Sequence, residues 1–387
     1  MSPSPQLPHE AYVAALASLD RVGPSRLRWL LSMGTPQQAW QRVVAGRLPE
    51  VPRRIAGTEA SLGSKWRAGS ARITPEEVWR RCAELGIGVV TLGGAGYPPA
   101  LANDLDPPVV LFHRGDVDVL TGPRVAIIGT RKATGYGRRH ARVFAAHLSG
   151  AGVSVVSGLA LGIDAAAHAG AVDGGGAPPI GIVGGGLDNP CPRRNMALAE
   201  QVATRGVLLS EVPPGVAASP WRFPVRNRII AATAQAVVVV ESSGAGGSMH
   251  TVREAMARDV PVLAVPGPID SRVSDGTNEL IADGALVCRS VEDILMAIGH
   301  GVRAPDAVGV RSASVEQRAA PTGDAAAVLD QLGWRPMSVE QVAGASGLGL
   351  AALAAALFQL EADDWVRRSG GWIERVARVP GPPSDAA

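Results

Sequence analysis

Short runs of apolar residues alternate with helical patterns through the middle of the chain, from residue 124 to residue 289. The runs predict strands at residues 125–128, 153–156, 180–183, 207–209, 236–240 and 262–265. Each run is apolar on both faces and is bounded by Gly, Ser or Pro, which is typical of buried parallel strands. The segments between them predict helices at residues 138–149, 165–171, 196–204, 227–234 and 249–258. We therefore predict an α/β fold with a doubly wound, mainly parallel sheet, whose ligands bind at the carboxyl ends of the strands.

The segments on either side of this sheet predict further domains. Residues 10–45 carry a helical apolar stripe, whereas residues 51–70 are polar and unperiodic and indicate a connection. A helix at residues 75–85 and strands at 88–92 and 109–112 come next, and a polar stretch precedes a C-terminal set of three helices and a hairpin. We predict an N-terminal helical domain at residues 1–75, the sheet domain at 76–302, a linker at 303–322 and a winged-helix domain at 323–378.

Two features of these flanking domains bear on DNA contact. The sequence LDRVGPSRLRWLL, around Val22 and Gly23, resembles half of a helix-hairpin-helix, and a packed helical turn is the alternative. The third helix of the winged unit, residues 350–360, has no basic residue. Because a helix in the DNA major groove normally carries some, we expect this unit to contact protein instead.

Composition limits the cellular setting. The three cysteines, Cys82, Cys191 and Cys288, are too dispersed for a disulfide framework, and no apolar run approaches eighteen residues. We expect a cytoplasmic protein with no membrane span. The formal net charge of +2 means that any site for a polyanion must be a local patch.

The strongest local patch follows the first of the predicted parallel strands. Gly129 ends that strand, Thr130, Arg131 and Lys132 come next, and Gly135 and Gly137 precede a helix. A glycine turn that leads into a helix N-terminus lets backbone N–H groups approach an anion, so this corner predicts a phosphate site. The alternative is an ordinary turn with solvated arginines.

Other predicted strand ends carry polar loops. Ser157 and Gly158 end the second strand, and Asp164 and His168 follow on a helix, where a cap and a structural histidine are the alternatives. Glu241 ends the fifth strand and is followed by the glycine-rich turn SSGAGGSMHT. Between them, WRFPVRNRIIA interleaves arginines with Trp221 and Phe223, which suits phosphates and bases of single-stranded nucleic acid.

Several enzyme motifs are absent from the sequence. It contains no Walker A motif, no GxGxxG, no HExxH, no GxSxG and no histidine spacing typical of metal ligands. We therefore expect no cofactor, no bound metal and no catalytic residue.

The motifs GTRKAT, SGLALGIDAAAH, GGGLDNPCPRRN, FPVRNRIIA, VVVVESSGAGGSMHT and SDGTNELIADGA occur in the order and spacing of the DNA-processing protein A (Smf) family. This resemblance covers roughly residues 94–288. It implies an extended Rossmann-like domain that binds single-stranded DNA and forms a homodimer. It also implies a protein that protects incoming DNA and loads the RecA recombinase in natural transformation, without an established catalytic activity.

The resemblance and the strand-end loops together give a set of candidate DNA-binding residues. They are Gly129, Thr130, Arg131, Lys132, Ser157, Gly158, Phe223, Arg226, Asn227, Arg228, Gly247 and Ser248. Two positions depart from the family pattern. Ala245 begins a segment where the family commonly has Lys-Ser-Gly-Ser-Leu, and Cys191 stands where a tyrosine is usual.

An enzyme of the same fold is the alternative function. Nucleoside-monophosphate phosphoribohydrolases use a PGGxGTxxE motif. Gly246-Gly247 and Thr251-Val252-Arg253-Glu254 resemble it, but this chain has one residue too many between them and no leading proline. That alternative requires release of free base from AMP.

Overall fold

The structure is a computed structural model, and it describes residues 7–57, 61–190, 192–244, 246–300, 321–332, 336–363, 365–369 and 372–375. The chain divides into two compact units, Met1–Arg303 and Ala304–Ala387. Most of the predicted linker, together with Cys191 and Ala245, lies outside the described residues. The domain boundaries at residues 75, 302 and 322 stay predictions.

Six helices precede the sheet in the first unit. They are α1 (His9–Ala17), α2 (Pro24–Leu31), α3 (Pro36–Val44), α4 (Arg53–Ala56), α5 (Leu62–Ser70) and α6 (Pro75–Glu84). Thr35 and Thr74 each form a capping box with the residue three positions later, and each precedes a proline that fits the first helical turn. The buried side chains of these helices share one hydrophobic cluster with Phe112 and Leu208 of the sheet.

The structure corrects the prediction that residues 51–70 are a connection, because α4 and α5 lie there. In α5, Leu62 and Trp66 are buried and fall four residues apart on one face. Two large apolar side chains in a short segment rich in Gly and Ser are too few to show a helical period.

The sheet of the first unit has nine strands. They are β1 (Gly88–Thr91), β2 (Val110–Gly115), β3 (Arg124–Ile128), β4 (Ser154–Ser157), β5 (Ile180–Ile182), β6 (Val207–Ser210), β7 (Ala236–Val239), β8 (Val262–Ala264) and β9 (Leu286–Val287). Their order is β1-β2-β6-β5-β4-β3-β7-β8-β9. The pairs β1/β2 and β2/β6 are antiparallel and the other pairs are parallel. The predicted doubly wound, mainly parallel sheet is confirmed.

Helices cover both faces of this sheet. They are α7 (Pro99–Ala102), α8 (Gly135–Gly150), α9 (Ile163–Gly174), α10 (Met196–Arg205), α11 (Arg222–Thr233), α12 (Ser248–Met256), α13 (Asp275–Ala282) and α14 (Val291–Ala297). Alternate residues of β3 point to opposite faces, so Val125 and Ile127 pack with α8, α9 and α14, whereas Ala126 and Ile128 pack with α11 and α12. Residues inside a two-sided sheet must be apolar at every position, which explains the continuous apolar runs.

Helix α11 begins five residues earlier than the sequence predicts. Phe223 and Arg226 therefore lie on a helix, where the sequence indicated a loop. A proline is typical of a helix boundary, but Pro224 occupies the first turn of α11, where its missing N–H would have had no partner within the helix.

The direction of strand succession reverses at β3. The chain proceeds from β3 through β4 and β5 on one side, and later returns to pair β7 with the other side of β3. At such a switch point the loops after the two strands diverge to opposite faces and leave a crevice between them.

The second unit is a winged helix, as predicted. It contains α15 (Gly323–Gln331), β10 (Met337–Ser338), α16 (Val339–Ser346), α17 (Leu350–Ala362), β11 (Val366–Ser369) and β12 (Trp372–Arg375), and its strands form a sheet in the order β10-β12-β11. Val328, Leu353, Leu357 and Ile373 are at its core.

No single helix in the described part of the chain is long and apolar enough to cross a membrane. Helices α16 and α17 reach that length and hydropathy only as a pair, bent by 112°.

Candidate nucleic-acid interface

An open crevice of about 580 Å³ lies at the carboxyl ends of β3 and β7. Four segments line it: the turn after β3, the loop after β4 with the start of α9, the α11 segment, and the glycine turn with the start of α12. The predicted site residues that it brings together are Gly129, Thr130, Arg131, Lys132, Phe223, Arg226, Asn227, Gly247 and Ser248. Ser157, Gly158 and Arg228 are not among the residues that line it.

The exposed positive charge of the crevice comes from the turn after β3. Arg131 and Lys132 are exposed, and neither forms an ion pair with a described residue. The Arg131 guanidinium carbon lies 5.1 Å from the centre of the Phe223 ring. This cation–π contact orients the guanidinium, and its N–H groups form no ion pair with a carboxylate of the described residues.

Arg226 is a largely buried residue in the floor of the crevice. Its Nη1 donates to the carbonyl oxygens of Gly158, at 2.7 Å, and of Ile182, and its Nε donates to Asn227 Oδ1 at 3.1 Å. Burial is the main reason that the pKa of Arg226 falls to about 10, with Asp164 acting in the opposite direction. Arg226 therefore stays a cation near neutral pH, and it orients the Asn227 side chain from below.

Ser157, Gly158 and Asp164 support this floor. The Ser157 hydroxyl donates to the Ile127 carbonyl at 2.6 Å, and Asp164 accepts a hydrogen bond from Gly158 N at 3.1 Å. Gly158 is required for a close approach, because a Cβ there would lie 2.5 Å from the Arg226 guanidinium nitrogens. Burial raises the pKa of Asp164, and the Arg226 charge opposes that shift.

His168 is a buried histidine of α9 with no exposed surface. Neither ring nitrogen forms a hydrogen bond of regular geometry with a described residue, although the Ser157 backbone lies close enough to oppose the effect of burial on the pKa of the ring. Burial lowers the pKa of His168 to about 4, so the ring is neutral near pH 7. This placement agrees with the structural role that the sequence offered as the alternative for this residue.

Arg228 belongs to a separate ion-pair cluster. Its Nη2 lies 2.5 Å from Glu211 Oε1 and its Nε lies 3.0 Å from Asp106 Oδ2, with only 6% of its side chain exposed. Arg28 of α2 also pairs with Asp106, so the cluster joins an N-terminal helix to α11. The sequence missed this role because the partners of Arg228 are 17 and 122 residues away.

The α8 corner differs from its predicted form. The Glu241 carboxylate accepts hydrogen bonds from Thr134 N at 2.9 Å and Thr134 Oγ1 at 2.5 Å, at the N-terminus of α8. A Cβ on Gly137 would lie 2.3 Å from that carboxylate. The helix start therefore faces an internal anion, and Gly137 makes room for it. Glu241 was visible in the sequence as the residue that ends a strand, but its partner was not.

The Val22–Gly23 turn packs against the start of α11. A Cβ on Gly23 would lie 3.3 Å from the Trp221 ring, and the turn encloses a cavity of about 30 Å³ with Trp221 and Arg222. Val22 itself is buried. This arrangement favours the packed helical turn over a DNA contact at this position. Trp221 keeps 47% of its surface exposed, with the Arg222 guanidinium 4.5 Å from its ring.

Comparison with known families and proteins gives two domain matches. A family model described as DNA recombination-mediator protein A matches residues 88–299, and one described as the DprA winged helix domain matches residues 311–371. DNA processing protein DprA from Bacillus subtilis is 38% identical over 212 residues, which are 54% of this chain and 71% of that protein. A DprA protein from Mycobacterium tuberculosis is 42% identical over 195 residues, half of each chain.

Solved structures similar to this chain include two of DNA processing protein A. DNA processing protein A from Streptococcus pneumoniae is 29% identical with a TM-score of 0.61, over 74% of this chain and 96% of that one. DNA processing protein A from Helicobacter pylori, in a structure that concerns its single-stranded DNA binding mode, is 30% identical with a TM-score of 0.50. That match covers 55% of this chain and 95% of the other.

Proposed function

Because this chain belongs to the DNA-processing protein A (DprA/Smf) family, we propose that it binds single-stranded DNA in the crevice between β3 and β7. One observation carries the proposal: Arg131, without an ion pair to any described residue, lies over the Phe223 ring at the mouth of an open crevice. A phosphate gains a charge-assisted hydrogen bond from the guanidinium, and a base gains an apolar ring surface.

A single strand fits this chemistry better than a duplex. Stacking of a base on an aromatic ring contributes about 1–3 kcal/mol and tolerates any sequence, but paired bases hide their faces. The glycine turn at Gly246–Gly247 adds backbone surface that a strand can approach closely.

Family membership further supports proposals about partners. We propose that the protein works in the cytoplasm as a homodimer, protects incoming DNA and loads the RecA recombinase on it during natural transformation. These proposals rest on family membership.

The observed site favours binding over hydrolysis. Glu254, which the phosphoribohydrolase alternative needs, pairs with Arg258 and does not line the crevice. Asp164 is the one acidic residue among the described residues that line the crevice, and only 6% of its surface is exposed. Incubation with AMP is expected to release no free base.

The proposed function is tested by binding of single- and double-stranded oligonucleotides at two salt concentrations. We expect a clear preference for single strands, and Phe223→Leu should reduce that affinity by about 1–3 kcal/mol while keeping an apolar side chain. Arg72→Ala removes an exposed arginine of the N-terminal segment and is the control. Equal affinity of the parent for duplex and single strand contradicts the proposal, as does a Phe223→Leu protein that binds like the parent.

A further inference from the structure

The segment Thr130–Thr134 carries the exposed cations of the crevice, and its shape determines where they point. Within the segment, Thr130 Oγ1 accepts a hydrogen bond from Lys132 N at 3.2 Å. Its other connections reach elsewhere in the fold. Ile163 N donates to Thr130 O at 3.3 Å, and the first turn of α8 donates to Thr134, from Gly137 N to Oγ1 at 3.1 Å and from Arg138 N to the carbonyl oxygen at 3.1 Å. Glu241 contacts the segment at both ends.

Glu241 holds both ends of this segment. Its backbone carbonyl accepts from Thr130 N at 2.7 Å, and its carboxylate accepts from Thr134 N at 2.9 Å and Thr134 Oγ1 at 2.5 Å. The residue is only 4% exposed, and it is not one of those that line the crevice. It therefore contacts the segment from behind, while Arg131 and Lys132 project into the open side.

Two glycines make this arrangement possible. A Cβ on Gly129 would lie 2.7 Å from the Glu241 carbonyl oxygen, and a Cβ on Gly137 would lie 2.3 Å from the carboxylate. Both glycines have negative φ or extended backbone, so they serve close approach and not an unusual turn. The absence of a side chain at Gly129 leaves room for the Glu241 backbone, and its absence at Gly137 leaves room for the Glu241 carboxylate.

A carboxylate suits this place better than a neutral group. Its charge strengthens both hydrogen bonds, and it lies at the positive end of the α8 dipole. The same charge disfavours a DNA phosphate at the α8 N-terminus, so phosphate is directed outward to Arg131 and Lys132.

We infer that Glu241 is a positioning residue for DNA binding, which fixes the Thr130–Thr134 segment so that Arg131 and Lys132 face the crevice. The inference rests on the proposed function, because it gives a role to Glu241 only if the crevice binds DNA. Glu241 acts through Arg131 and Lys132 and makes no contact with the DNA itself.

The test is a double-mutant cycle read by oligo-dT affinity at two salt concentrations. Glu241→Gln keeps the shape of the side chain but loses the charge and one acceptor, and we expect about tenfold weaker binding, as for one lost hydrogen bond to a charged group. The dependence of log affinity on log salt should also flatten. In a protein that already carries Arg131→Ala and Lys132→Ala, Glu241→Gln should cost no further affinity.

A purely structural Glu241 gives a different result. Its loss would lower the melting temperature and leave the salt dependence unchanged, or would weaken binding equally in both backgrounds; either outcome overturns the inference. If Glu241→Gln does not fold, Thr134→Val and Thr134→Ser decide. The valine protein should bind more weakly and the serine protein should recover most of the affinity, whereas equal binding by both overturns the inference.

Failure of the proposed function is separately visible in the same experiment. If the protein with Arg131→Ala and Lys132→Ala binds oligo-dT like the parent, the crevice is not the DNA site. If that protein binds weakly while Glu241→Gln binds like the parent, only the positioning role is wrong.

Discussion

Three arginines that are close in sequence or space have three different roles. Arg131 is exposed over an aromatic ring, Arg226 is buried in the crevice floor with backbone carbonyls as partners, and Arg228 is paired with Glu211 and Asp106. Of these three, only Arg131 exposes guanidinium N–H groups that can donate hydrogen bonds to a DNA phosphate. Removing a buried, paired arginine leaves the charge of its carboxylate partner uncompensated. Arg228 therefore stabilises the fold of the first unit and is not part of the DNA-binding surface.

Arg131→Ala is expected to weaken binding of single-stranded DNA without unfolding the protein. The lost contact is to phosphate, so the reduction should be similar for different base sequences. The slope of log affinity against log salt should flatten by about 0.7, the value for one phosphate contact on a single strand. Oligo-dT titrations at several salt concentrations measure this, with Arg72→Ala as the matched control. An unchanged slope would mean that Arg131 is simply solvated.

His168 makes the stability of the fold depend on pH. Its pKa is lowered to about 4 in the folded protein, below the unfolded value of about 6.5, so below pH 6.5 the unfolded state binds more protons. Stability is therefore fully present above pH 6.5 and is lost as the pH falls toward 4. The loss approaches about 1.4 kcal/mol for each pH unit within that range.

His168→Leu should remove this dependence. The leucine fills a similar volume and carries no unpaired polar atom, so its free energy of unfolding should exceed that of the parent, and by more at pH 5.5 than at pH 7.5. Urea denaturation at the two pH values measures the difference. The same pH dependence in both proteins would show that the ring is protonated or hydrogen-bonded in the folded state.

At the scale of elements, the sequence predicted the parallel strands because they are buried on both faces. A residue inside a two-sided sheet has no polar alternative, so β3 to β8 appear as apolar runs with boundaries close to those observed. Helix α5 was missed because only Leu62 and Trp66 carry its buried stripe, and the start of α11 was missed because Pro224 looks like a helix boundary.

The sequence predicts where the candidate site lies, but it predicts less well which contacts its residues make. Strand ends at a switch point meet, so the turns at Gly129 and Gly247 could be placed together from the sequence. The partners of Arg228 and Thr134 could not be found, because each lies about 17 to 122 residues away and only tertiary packing brings it near. The role of Gly137 at the α8 corner could not be predicted for the same reason. This glycine makes room for Glu241, and the phosphate site at Arg131 and Lys132 stays a prediction.

Gly137→Ala tests that account of helix α8. Alanine normally stabilises a helix by about 1 kcal/mol relative to glycine, but here its Cβ would lie 2.3 Å from the Glu241 carboxylate. We expect Gly137→Ala to lower the melting temperature and to weaken DNA binding. Gly150→Ala, in the last turn of the same helix, adds a Cβ that lies more than 4 Å from every described residue outside its own helical turn, and it should be neutral or stabilising. A stabilised Gly137→Ala protein would contradict the observed position of Glu241.

At the scale of the whole molecule, every residue of the candidate interface lies in the first of the two compact units. The second unit has its own hydrophobic core, and its helix α17 has no basic residue. Primary DNA binding should therefore not need the winged helix. A protein that ends at Arg303 is expected to keep its affinity for single strands within about tenfold, which corresponds to about 1.4 kcal/mol. A folded truncated protein with a larger loss would place a DNA contact in the second unit.

The scarcity of lysine in this arginine-rich chain gives the crevice its own spectroscopic reporter. The sequence contains only two lysines, Lys65 and Lys132, and Lys132 is exposed in the lining of the crevice. Reductive methylation with isotope-labelled formaldehyde would mark these two ammonium groups and the α-amino group and leave the arginines untouched. The dimethyl-lysine region of a carbon-13 spectrum would then hold two signals, and the Lys132 signal, identified with Lys65→Arg, would follow occupancy of the crevice directly.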